Sequence, residues 1–182
     1  MISIFNKNNG FTLIEVLGVL GIITLFSGVT IFSISSERQN SSLFRSAQNL
    51  SLNLRRAQSF ALSSKDFKGS GVPCGWGVHF NGLNSTNYII FADLVPFGLD
   101  CQSNQDSKRN PNGSEDFEVV NFEAGIKIGG LTDDFTDVVF SPPEPTVVFY
   151  PSSQSEVNVT VINRYSSARV VTVNKTGFIS SP

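Results

Sequence analysis

The sequence predicts an α+β protein: a long N-terminal α-helix, membrane-spanning in its first half, whose second half packs on a C-terminal antiparallel β-sheet domain. Three observations predict it. An apolar run from Phe11 to Ile34 contains a single charge, Glu15. Beyond it Leu43, Ala47, Leu50, Leu54, Ala57 and Ala61 recur at three- and four-residue steps and trace one apolar stripe. From Gly75 the pattern changes to short apolar or alternating runs separated by Gly, Pro, Asn and Asp, which is the pattern of strands and turns.

Taken in order, Met1 to Asn9 is polar with one basic residue, Lys7, a weak positive-inside signal for a cytoplasmic N-terminus. The apolar run would rise about 36 Å as a helix, enough to cross the hydrocarbon core of a bilayer. Gly18, Gly21, Ser27 and Gly28 offer small side chains for close helix packing or local melting. No Pro occurs between Phe11 and Pro73. The spacing predicts residues 11–35 as the apolar half of the helix and 36–64 as its amphipathic half, with Arg45, Gln48, Arg55 and Ser59 on the opposite face. Lys65 to Pro73, with Gly69, Gly71 and Pro73, ends the helix and opens a β-rich domain over 65–182.

Strands are expected near Trp76–Phe80, Tyr88–Ala92, Phe117–Asn121, Ile126–Ile128, Val138–Phe140, Val147–Tyr150, Val157–Ile162, Arg169–Val173 and Phe178–Ile179. Asn174-Lys175-Thr176-Gly177 between two apolar runs signals a hairpin turn. Cys74 and Cys101, the only cysteines, both follow the anchor, where the chain should face an oxidising space, so they are expected to pair. Closing such a loop stabilises a fold by roughly 3 to 4 kcal/mol on the chain-entropy model. The polar connection from Pro96 to Glu115 contains Cys101, which leaves Gln102 to Ser114 as an expected mobile surface loop.

The stretch Gly10-Phe11-Thr12-Leu13-Ile14-Glu15-Val16-Leu17 resembles the N-terminal signature of type IV pilins and pseudopilins. The resemblance implies a leader, residues 1–10, cut after Gly10 by a prepilin peptidase that methylates the new N-terminus, Phe11. Glu15 becomes the fifth mature residue. An ordinary secretory signal would instead place its cleavage site after the apolar stretch. A cleaved amine and a carboxylate from a neighbouring helix neutralise each other in an apolar setting, which makes Glu15 a device for axial register. The family also implies partners: other pilin or pseudopilin subunits, an inner-membrane assembly platform and membrane lipid. It implies a single-pass location in the bacterial cytoplasmic membrane, with the C-terminal domain outside the cytoplasm until the subunit enters a filament. Leu54-Arg55-Arg56-Ala57-Gln58, Gly75-Trp76-Gly77-Val78, Phe140-Ser141-Pro142 and the closing Ala168–Val173 run to Gly177 look like the GspH/FimT-type minor pseudopilins. That resemblance implies a minor subunit, at or near the tip, of a type II secretion pseudopilus or a type IV pilus.

The residues for catalysis are mostly missing. One histidine, His79, sits in a predicted strand, so no nucleophile triad is readily built, and zinc sites with several His or Cys ligands are excluded. No phosphate-binding glycine pattern appears and no cofactor is expected. Asp133, Asp134 and Asp137 form the only tight acidic cluster, which reads as a solvated turn rather than a calcium site. A rival reading is a DNA-binding minor pilin for DNA uptake, in which Arg164, Arg169 and Lys175 form a basic patch around the last hairpin. Glu156 nearby and the net charge of −2 argue against it.

Overall fold

A computed structural model describes residues 10–95, 100–101, 105–142 and 146–181; the side chains of 29–35 lie outside the description. The leader residues Met1 to Asn9, with Lys7, also lie outside the described residues, as do 96–99, 102–104 and 143–145. The chain divides into two units, Met1–Arg38 and Gln39–Pro182.

Helix α1 runs from Leu13 to Leu62. In the first unit its described side chains are exposed on every side: Leu13 is 79% exposed, Leu17 59% and Phe26 71%. Among the described residues no helix is long and apolar enough to cross a membrane. The apolar run of the sequence continues into residues whose side chains are not described.

Among the described residues the second unit contains the end of α1 and nine strands: β1 (Gly75–Phe80), β2 (Asn87–Asp93), β3 (Asp116–Asn121), β4 (Ile126–Leu131), β5 (Asp137–Ser141), β6 (Thr146–Tyr150), β7 (Glu156–Asn163), β8 (Ala168–Asn174) and β9 (Ile179–Ser180). All pairings are antiparallel. They form a five-stranded sheet in the order β3-β2-β1-β5-β6 and a four-stranded sheet in the order β4-β7-β8-β9. Leu43, Ala47, Leu50, Leu54, Ala57 and Ala61 are all buried and belong to one cluster with Trp76, Val78, Phe80, Tyr88, Ile90, Val138, Val159 and Val171. Polar bonds flank that cluster: Asn53 Nδ2 donates to Tyr88 Oη at 2.7 Å, and Arg55 Nη2 to the Ile179 carbonyl at 3.0 Å. Burial and desolvation push the Tyr88 hydroxyl up to about 12.

Strand β7 shows the simple rule of a half-covered sheet, with Val157, Val159, Val161 and Asn163 buried in alternation. The centre of the other sheet is buried on both faces. Gly77 of β1 belongs there for a steric reason: a Cβ would lie 2.7 Å from both the Phe91 ring and the Val138 carbonyl. Phe91 and Val139, on the face opposite the shared cluster, are fully buried.

On that second face the expectation of a mobile loop is corrected for its described part. Gln105 Nε2 donates to Ser141 Oγ at 2.7 Å, the Ser107 N–H to Asp93 at 3.1 Å, and the Arg109 N–H to Asp137 at 3.2 Å. Glu115 accepts from the N–H groups of Asn110 at 2.6 Å and Leu94 at 3.2 Å. Buried carboxylates thus hold a polar strap across the sheet, and composition alone could not reveal those partners. Upstream in the same connection, Cys101 is bonded to Cys74, with Cα atoms 5.2 Å apart.

Candidate functional site

Gly10 and Phe11 precede α1 and are exposed, Phe11 by 83%. Thr12 caps the helix: the Glu15 N–H lies 3.1 Å from the Thr12 carbonyl and 3.4 Å from its hydroxyl oxygen. The Thr-X-X-Glu spacing that places Glu15 in the first turn is a capping-box spacing, a signal legible in the sequence. The positive end of the helix favours the carboxylate there. Glu15 stands one turn beyond the exposed Gly10-Phe11 segment.

Of the three basic residues, Lys175 is not brought together with Arg164 and Arg169. Arg169 lies near the start of β8, its guanidinium 5.8 Å from the Phe44 ring centre. Arg164, in the β7–β8 turn, stacks near Tyr165 at 6.0 Å. Lys175 follows the far end of β8, about 20 Å away along an extended strand, and donates from Nζ to the Ser153 carbonyl at 3.0 Å. The turn itself forms as expected, with Gly177 at φ +82 and Asn174 Oδ1 accepting the N–H groups of Thr176 and Phe178.

The acidic cluster is also dispersed. Asp137 is buried against His79 Nδ1 at 2.8 Å, the Arg109 N–H and the Thr136 hydroxyl, while Asp133 accepts from Gln154 at 2.6 Å. Among the described residues no group of three or more His, Cys, Asp or Glu is arranged to hold a metal ion.

The carboxylates under the strap were not singled out in the sequence. Asp93 is 1% exposed; burial, then the charges of Asp106 and Glu115, push its carboxyl up to about 7. Glu115 is raised as well, chiefly by burial. The available signal was an acid closing an otherwise apolar strand, Tyr88-Ile89-Ile90-Phe91-Ala92-Asp93. Arg109 is paired with Asp116 in a fork of two hydrogen bonds, which raises the Arg109 pKa.

A helix preceded by an exposed Gly-Phe segment, with Thr12 at its cap and Glu15 in its first turn, followed by antiparallel sheets, makes this an α+β protein. Residues 5–34 match the family model of the prokaryotic N-terminal methylation motif. The motif supports a type IV pilin or pseudopilin subunit and implies processing by a peptidase and assembly with other such subunits. No curated protein and no solved structure matches the chain.

Proposed function

We propose that the protein is a minor pilin or pseudopilin of the GspH/FimT type, a structural rather than catalytic subunit of a type II secretion pseudopilus or type IV pilus. A prepilin peptidase cuts after Gly10 and methylates Phe11. The apolar half of the helix anchors the chain in the bacterial cytoplasmic membrane, with the β domain outside the cytoplasm, and then carries the subunit into the filament. The carrying observation is the surface of α1: from Leu13 to Phe26 its large apolar side chains are exposed all round, with a lone carboxylate at the start. A helix apolar on every side needs lipid or neighbouring helices to cover it. Within that cover an unpaired carboxylate or amine costs several kcal/mol, and pairing Glu15 with the Phe11 amine of a neighbour removes the penalty at one axial stagger only.

The test is Glu15→Ala in cells that assemble the filament. Cleavage should continue while incorporation into sheared filaments is lost; incorporation at the parental level would remove the register argument. The DNA-uptake reading has less support, because Lys175 stands a strand's length from Arg164 and Arg169.

A further inference from the structure

The end of the Gln39–Pro182 unit where the chain enters carries a basic and aromatic surface that the assembly function leaves unused. Asn163 Nδ2 donates to Asn40 Oδ1 at 3.1 Å, which sets the β7–β8 turn beside the entering helix. Gly125, at φ +84, is pressed between the two: a Cβ there would lie 2.7 Å from Gln39 Oε1 and 3.5 Å from Arg164 Nη2. Arg169 reaches the same end over Phe44. Phe44 is 38% exposed and Tyr165 46%.

The charges at this end do not cancel. Glu123 is neutralised by Arg45 at 2.7 Å. Arg164 and Arg169 take part in no ion pair among the described residues. A local positive excess therefore stands on a chain whose net charge is −2.

We propose that this end face docks on the anionic phospholipid headgroups of the bilayer that holds the chain's own N-terminal helix, with Arg164 and Arg169 on phosphodiester oxygens and Tyr165 and Phe44 at the interfacial level. The inference rests on the membrane-anchored reading of residues 11–35. Gln39 follows the apolar run, which closes at Ile34, by so few residues that even an extended chain separates them by no more than about 18 Å. The guanidinium fork matches phosphate oxygens, and aromatic rings favour the headgroup layer. Cations held near an anionic leaflet act over a Debye length of about 8 to 10 Å, so the contact tolerates some variation in depth. Its function would be to hold the domain against the membrane before extraction, so that leaving the bilayer breaks a set of ionic contacts.

The experiment uses the full chain in nanodiscs of phosphatidylcholine, with and without phosphatidylglycerol, and follows amide hydrogen exchange over residues 163–170 by mass spectrometry. Exchange should slow on the order of tenfold with phosphatidylglycerol, since two cations near the surface each contribute several-fold. The protection should disappear in high salt and in Arg164→Gln/Arg169→Gln, with Trp76 emission unchanged to show that the variant is folded. Equal exchange in the two lipids, with the chain retained in the discs, would overturn the proposal. So would protection in phosphatidylcholine discs by inorganic phosphate alone, or by duplex DNA but not by phosphatidylglycerol. A chain that does not enter the discs at all would instead overturn the anchored reading, and the proposal with it.

Discussion

Asp93 makes the protein less stable as pH rises through neutrality. Its carboxyl is buried beside Asp106 and Glu115, which lifts it from an ordinary 3.8 to about 7, against the opposing pull of Gln105 and the Ser107 N–H. For an acid raised in this way the folded chain holds a proton that the unfolded chain has released. The stabilisation is complete below about 3.8 and is lost as pH rises through about 7. Each pH unit between those limits removes up to about 1.4 kcal/mol, so the loss from pH 5 to pH 7 is about 2 to 3 kcal/mol. Asp93→Asn keeps an oxygen to accept the Ser107 N–H and removes the titration. Urea unfolding of the full chain in detergent, followed by the emission of the single tryptophan, Trp76, reads the effect directly because that side chain is 1% exposed. The parental midpoint should fall by about 1 M over this range, given ordinary urea slopes, and the variant's should fall less. Glu115 shifts in the same direction and remains in both proteins, so the variant keeps a smaller slope of its own. Parallel curves, or a parental midpoint that rises with pH, would refute the reasoning.

Replacing Cys74 and Cys101 together by Ser should lower stability by about 3 to 4 kcal/mol and speed proteolysis of the strap downstream of Cys101; an unchanged urea midpoint would contradict a stabilising bridge. Gly77→Ala places a methyl 2.7 Å from the Phe91 ring and the Val138 carbonyl in the central strand. It should cost about 1 to 3 kcal/mol by overpacking, read as a lowered Tm. Leu54→Ala, at a fully buried helix position, should cost about 2 to 5 kcal/mol; a loss below 1 kcal/mol would mean that Leu54 contributes little to the core.

The nine strands of the described residues were legible from apolar runs, alternation and turn residues; in β7, Val157, Val159 and Val161 carry their burial in a period of two. The stripe from Leu43 to Ala61 was legible for the same kind of reason, and each of its residues is buried. The strap was not. Its order comes from backbone N–H groups meeting Asp93, Asp137 and Glu115, acids far away in the sequence whose one-letter identity is that of any solvated loop. The separation of Lys175 from Arg164 and Arg169 was hidden too, because neighbours in sequence separate quickly along an extended strand. The N-terminal methylation motif was legible because it sits in consecutive residues. Only the Thr12 cap was overlooked.

In the proposed function, enzymatic trimming exposes an amine one turn before a lone acid on an apolar helix. Mass spectrometry of the mature protein from membranes or filaments tests it most directly. The account predicts a chain that begins at N-methylated Phe11, with no leader attached. Recovery of the chain with Met1 in place, in cells whose prepilin peptidase is active, would contradict it.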